Sequence, residues 1–202
     1  MRDTHRLQMP TLTSERSNIA LLVGVPHSTT QLPYHYRPAP PLTDEPMSDS
    51  CSIQLADASH GSQMIALLPE LANFDIPERR KPEHLWHGDE EMILEWIHGK
   101  RPESFCCIAL SDDGEVTGLS FVTLREELLS HEPSAHLEVL VVSPNWRRLG
   151  LGRRLSEAAE VEAKKRGAES ITLHVFRKNE RARALYEKLG YDEELLRCSK
   201  PL

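Results

Sequence analysis

The run Leu137-Glu138-Val139-Leu140-Val141-Val142 is a strand's worth of apolar side chains interrupted by a single acid, and it leads through Ser143 to Leu149 into Gly150-Leu151-Gly152. From Gly150 to Arg166 the apolar positions recur with helical spacing, and Gly167 closes the segment. A buried strand that feeds a long helix through a short glycine-bearing loop commits the chain to an α/β arrangement. The same turn carries chemistry. The start of a helix leaves backbone N–H groups unpaired at its positive end, and glycines let an anion approach the backbone closely. Arg147, Arg148, Arg153 and Arg154 add positive charge around the spot. Taken alone, this Gly-x-Gly reads equally well as an ordinary turn with a solvated basic face. It lacks the third glycine of a dinucleotide fingerprint and the Gly-Lys-Ser/Thr of a Walker loop.

The rest of the chain is organised around this unit. Seven of the 14 prolines, Pro10, Pro26, Pro33, Pro38, Pro40, Pro41 and Pro46, fall in the first 46 residues, where four basic residues cancel four acidic ones. Residues 1–50 therefore read as a disordered proline-rich leader, with Met47 as an alternative start, and residues 51–202 as one domain. Within that domain Ser52 to Ala56 reads as a strand and Ser59 to Ala72 as a helix. Glu90 to His98 reads as a second helix. Phe105 to Leu110 and Val116 to Leu124 form a hairpin through Ser111-Asp112-Asp113-Gly114. After a polar loop from Arg125 to Ser134, Ala135 to Val142 is a strand, then come the long helix and a strand from Ile171 to Phe176. A helix from Glu180 to Leu189, ended by Gly190, and a last strand from Tyr191 to Cys198 complete the order β, α, α, β, β, β, α, β, α, β.

Two motifs in this frame resemble the GNAT superfamily of acetyl-CoA-dependent N-acetyltransferases. Arg147-x-x-Gly150-x-Gly152 is similar to the family's R/Q-x-x-G-x-G/A signature, with Val142-Ser143-Pro144 ahead of it at the usual distance. Asn179-Glu180-Arg181-Ala182-Arg183-Ala184-Leu185-Tyr186-Glu187-Lys188-Leu189-Gly190-Tyr191 is similar to N-x-x-A-x-x-L-Y-x-x-x-G-F/Y. The resemblance implies an α/β fold with a mixed central sheet, its fourth and fifth strands splayed apart, and helices on both faces. It implies acetyl-CoA as co-substrate and acetyl transfer to a primary amine, of a protein N-terminus, a lysine or a small molecule, by direct attack in a ternary complex. Backbone groups of Leu140, Val141 and Val142 would meet the pantetheine arm. Arg147, Arg148, Leu149, Gly150, Leu151, Gly152 and Arg153 would cradle the pyrophosphate. Asn179 would bond the arm, and Tyr186 would stand near the thioester sulfur, where a phenol can protonate the departing thiolate.

The base has two candidates. Glu138 is a lone acid in an apolar strand, an expensive placement unless it faces a cavity or a partner. His174 alternates with Leu173 and Val175, and occupies the place where the similar ribosomal-protein N-terminal acetyltransferases carry a glutamate. A neutral imidazole suits that work near pH 7. His136, two positions before Glu138, is a third and weaker choice.

Composition narrows the setting. The formal net charge of -7 argues against broad nucleic-acid binding. Acids outnumber basic residues 17 to six from Met47 to Ala135, whereas 11 basic residues face five acids from Ser143 to Arg183. A polyanionic coenzyme would be drawn to the basic half and a cationic amine to the acidic half. Cys51, Cys106, Cys107 and Cys198 match neither zinc nor redox spacing, and His84-x-x-His87 has no third ligand, so no metal is expected. The cysteine pattern fits a reducing, cytoplasmic setting, and no apolar run reaches the ~18 residues of a membrane span. The expected partner is an amine-bearing small molecule, peptide or protein, with room for a homodimer. A second reading, a catalytically silent acyl-CoA-binding module that regulates a partner, needs the glycine loop but neither Tyr186 nor a base.

Overall fold

The computed structural model describes residues 51–200; the proline-rich leader and the choice between Met1 and Met47 lie outside the described residues. The chain runs β1 (Cys51–Leu55), α1 (Gly61–Leu67), α2 (His87–Ile97), β2 (Ser104–Ser111), β3 (Val116–Glu126), β4 (Pro133–Val142), α3 (Leu151–Lys165), β5 (Ser170–Leu173) and α4 (Glu180–Leu189). One sheet holds the strands in the order β1-β2-β3-β4-β5, antiparallel from β1 to β4 and parallel between β4 and β5. The parallel pair needs a crossover, and α3 supplies it. The sheet is therefore mixed, as expected.

Strand alternation sorts the side chains onto two faces, each with its own core. On one face Leu151, Leu155, Ala159 and Ala163 of α3 lie against Phe105, Cys107, Ala109, Val122, Ala135 and Leu137, with Tyr186 of α4 packed beside them. On the other, Met64 of α1, Leu68 and Ile93 of α2 cover Cys106, Ile108, Leu119, Phe121, Val139 and Val141. Trp96 anchors α2 here, its ring edge-on to Phe121 at 5.8 Å and its Nε1–H donating to the Ser104 carbonyl.

Three sequence expectations need correction. The helix expected from Ser59 to Ala72 is broken: α1 is flanked by 3₁₀ turns at Ala58–His60 and Leu68–Ala72. Pro69 explains the second break, because its ring has no N–H for the α ladder. The strand expected from Ile171 to Phe176 ends at Leu173, which leaves His174 outside the sheet and exposed. The last strand, Tyr191 to Cys198, does not form. Leu195 and Leu196 are adjacent rather than alternating and are 64% and 86% exposed, so the segment offers no apolar face to a sheet. Tyr191 instead turns inward, its hydroxyl donating to Glu160 and its ring meeting Tyr186 edge-on at 5.6 Å.

Gly118 sets the fit of α3 on the sheet. A Cβ there would come within 2.9 Å of both the Val141 carbonyl oxygen and Leu155 Cδ1. The carbonyl belongs to the β3–β4 ladder and cannot swing away. Gly118→Ala is therefore expected to destabilise the fold by about 1–3 kcal/mol, seen as a lower urea midpoint with an unchanged m-value.

Candidate active site

Two features open the site. The β4–β5 ladder covers only Ser134↔Ser170 through Leu137↔Leu173, while β4 continues alone to Val142. The two strands thus part beyond Leu137. At the same point β4 carries a bulge: Val122 pairs with Leu137 and Phe121 with Val139, leaving Glu138 without an opposite number. Leu137 packs in the α3-side core and Val139 in the α2-side core. The extra residue absorbs the change of face, so Glu138 joins Val139 on the α2 side.

His136 shares that side, and its surroundings fix its proton. It is 3% exposed, and Nδ1 stands 2.7 Å from both Arg125 Nη2 and Thr172 Oγ1. A guanidinium only donates, so Nδ1 accepts and the proton sits on Nε2. Nε2 lies 3.9 Å from Glu138 Oε2. Burial, then the charges of Arg125 and His174, push the imidazole down to about 3. His136 is accordingly a neutral donor, and the reading of it as a base falls. His174 stacks edge-on to it, ring centres 4.6 Å apart, from an exposed position past the end of β5. Glu138, 20% exposed by side chain, is the first residue of β4 past the last pair with β5.

The turn from β4 to α3 has the expected form. Arg148 and Gly150 take positive φ values of 65° and 75°, which fold the chain sharply into α3, and no side chain caps the helix start. Its first-turn N–H groups are left to an outside acceptor. The arginines divide differently from the sequence reading. Arg154 reaches β1, where it donates to the Cys51 carbonyl at 3.1 Å. Arg153 pairs with Glu157, and Arg147 is spent on structure, donating to the Val142 carbonyl at 3.0 Å and to Glu70 at 2.5 Å. Arg148 remains exposed, with no acidic partner among the described residues. Arg181 joins it unannounced by the sequence reading: its pKa is lowered first by burial and then by Arg147 and Arg148. The signal was present in the spacing, since Arg181 is four residues before Leu185, whose Cδ2 lies 3.5 Å from where a Cβ of Gly152 would stand.

At the start of α4, Asn179 Oδ1 accepts the Ala182 N–H at 3.2 Å, so this side chain caps the helix with its oxygen. Tyr186 packs among the α3-side apolar residues, and burial raises its hydroxyl to about 12. It is a proton donor at neutral pH. Leu140 and Val142 pack on the same core, and Val141 on the other. A further group was missed altogether: burial, then the charge of Glu138, push Asp89 of α2 up to about 7. Its visible mark in the sequence is an acid one turn before the buried Ile93.

This architecture is matched by known proteins. A family model described as "Acetyltransferase (GNAT) family" matches residues 68–191. The chain belongs to the GNAT acetyltransferase family. It is 32% identical over 90 residues to mycothiol acetyltransferase of Paenarthrobacter aurescens strain TC1, covering 45% of this chain and 28% of that protein. It is 43% identical over 58 residues to the ribosomal protein bS18-alanine N-acetyltransferase of Escherichia coli K12, covering 29% of this chain and 39% of that protein. These matches span well under half of each relative's length. A putative acetyl transferase from Pyrococcus furiosus superposes with a TM-score of 0.61 at 24% identity, over 75% of this chain and 100% of that one. An aminoglycoside N-acetyltransferase in complex with CoA gives 0.61 at 18%, over 78% and 98%.

The depressed His136 imidazole has a consequence for stability. As pH falls from 6.5 toward 3 the unfolded chain takes up a proton that the folded chain refuses. Stability is fully present above that window and declines within it. His136→Gln, which keeps an acceptor for Arg125 without a titrating ring, is expected to show a flatter fall of Tm with acidification, measured by thermal melts across the window.

Proposed function

We propose that this protein transfers an acetyl group from acetyl-CoA to a primary amine by direct attack in a ternary complex. The observation that carries this reading is the place of Glu138, which the β4 bulge leaves without an opposite number directly after the last pair joining β4 to β5. A carboxylate there stands at the start of an unpaired strand edge, which leads through the β4–α3 turn to a helix start that lacks a cap.

The residues present fit the coenzyme. The first-turn N–H groups of α3, with Arg148 and Arg181, suit its phosphates, and the open edge of Leu140 to Val142 suits its amide-bearing arm. Arg147 and Asn179 serve by holding the loop and the α4 start in place. The coenzyme supplies an activated acetyl group whose sulfur leaves as a thiolate. Glu138 accepts a proton from the acceptor nitrogen as the C–N bond forms, and the Tyr186 hydroxyl returns one to the sulfur. Orientation of the two reactants in one cleft supplies much of the remaining acceleration. His174, exposed and beyond the strand, is assigned no proton transfer. The acidic α2 side favours a cationic acceptor arriving from that face.

Release of free thiol from acetyl-CoA with a panel of amines tests the reaction. Tyr186→Phe and Glu138→Gln are each expected to lower kcat by about 100- to 10,000-fold, with acetyl-CoA affinity by calorimetry nearly unchanged. His174→Ala is expected to keep the acidic limb of the rate profile, and its disappearance there would move the base to His174. Binding of acetyl-CoA without thiol release for any amine would favour the silent acyl-CoA-binding module.

A further inference from the structure

Beyond the Leu137↔Leu173 pair the two strands part, and the chain that leaves each of them is fastened to the same short segment. Arg147, in the loop after β4, pairs with Glu70 at 2.5 Å. In the loop after β5, Phe176 meets Phe74, ring centres 5.6 Å apart, and Lys178 pairs with Asp75 at 2.8 Å. Residues 70–75 therefore close a circuit, which runs from Leu137 along β4 to Arg147, across to Glu70, on to Phe74, across to Phe176 and back to Leu173. The unpaired edge of Leu140 to Val142 lies on that circuit. The segment enters it from the α2 side, where Leu68 is buried and Leu71 packs in the same core.

The two fastenings differ in strength. At the Glu70 end, the Arg147 side chain is 16% exposed and its Nε also donates to the Val142 carbonyl, while the 3₁₀ turn Leu68–Ala72 fixes the backbone. The far end is light. Lys178 and Asp75 are 47% and 78% exposed by side chain and Phe176 is 40% exposed, so a solvent-screened ion pair and one tilted aromatic contact hold it. From Asn73 to Lys81 the chain forms no helix or strand, and the N–H groups of Asn73 and Phe74 donate only to Glu70 and Ala72 of the segment itself. Phe74 and Asp75 are thus free to swing on the Glu70 end without breaking a regular element.

Resting on the acetyl-transfer reading, we propose that residues 70–75 are a strap, hinged at Glu70 and latched at Phe74 and Asp75, whose opening gates the passage of the coenzyme's arm into and out of the parting of β4 and β5. An arm that uses the edge of Leu140 to Val142 lies along one side of the circuit, and the bulky phosphate-bearing head held at the start of α3 cannot follow it through. Release of the latch opens the circuit and lets the arm be laid in from the side. The latch stands outside the residues assigned to the coenzyme, so freeing it lowers the barrier to passage more than it changes the bound state.

Binding of acetyl-CoA to the whole chain is followed by stopped-flow tryptophan fluorescence, with Trp146 next to Arg147 in the loop as reporter. Phe74→Ala and Phe176→Ala are each expected to raise the association and dissociation rate constants together by about 10-fold, leaving Kd within about threefold. The double variant is expected to match the singles, because all three remove one contact. Asp75→Asn, which releases only the exposed ion pair, is expected to raise both rates by about twofold. A purely structural role gives a different pattern, faster dissociation with unchanged or slower association and a matching loss of affinity, and that pattern overturns the gate. Unchanged rates overturn it as well, since the arm then threads the circuit with the latch closed. Wild-type protein that does not bind acetyl-CoA overturns the strap and the acetyl-transfer reading together. Binding without thiol release for any amine overturns acetyl transfer alone, and the two rate constants still decide the strap.

Discussion

Four residue pairs, from Ser134 with Ser170 to Leu137 with Leu173, join β5 to β4, and the site depends on the ladder stopping there. Had β5 continued alongside Val139 to Val142, its backbone would have saturated the edge of β4 and filled the cleft. Instead the strand presents N–H and C=O groups on one side without a strand partner, a standing demand for something that can bond to them. The bulge at Glu138 falls one residue past the last pair. The edge opens and the acid turns toward α2 at the same point in the chain.

Burial then sets the proton inventory of the cleft. It lowers His136 and raises Asp89 and Tyr186, so desolvation holds an imidazole neutral, lets a carboxyl keep its proton near neutrality and makes a phenol a donor. Arg125 contributes by orientation as much as by charge. By filling the acceptor lone pair of His136 Nδ1 it decides which ring nitrogen carries the hydrogen, and hence that an N–H points at Glu138.

The strand–loop–helix unit proposed to hold the coenzyme was largely legible in the sequence as structure, because it is built from one continuous stretch. An apolar strand, a loop with a glycine at positive φ and an amphipathic helix are local patterns, and Tyr186 and Asn179 lie together on a second one. The acceptor side was not. Asp89, whose titration is raised by burial and by the charge of Glu138, stands 49 positions earlier in the chain, and nothing near Asp89 distinguishes it from the acids that follow it. The faces adopted by Val139 to Val142 depend on one skipped partner in the β3–β4 ladder, beyond which alternation alone assigns every residue wrongly. The charge of Arg147 was legible, but its partner was not, since Glu70 is 77 positions away. The missing last strand shows the same limit: Tyr191 fits a strand locally, yet the adjacent Leu195 and Leu196 leave that segment no face to bury.

The separation of the two cores bears on how such a chain can diversify. The helices α3 and α4 pack on one face of the sheet, whereas α1, α2 and the turn around Pro69 pack on the other, with the strands between them. A change in volume among Met64, Leu68 and Ile93 falls in the core opposite the one that holds Leu151 and Leu155 of α3. The Arg147–Glu70 link ties the β4–α3 loop directly to that turn. If the coenzyme is held as proposed, selection can reshape the α1–α2 face while the α3–α4 face stays fixed, and one scaffold can serve chemically unrelated amines without relearning how to hold its coenzyme.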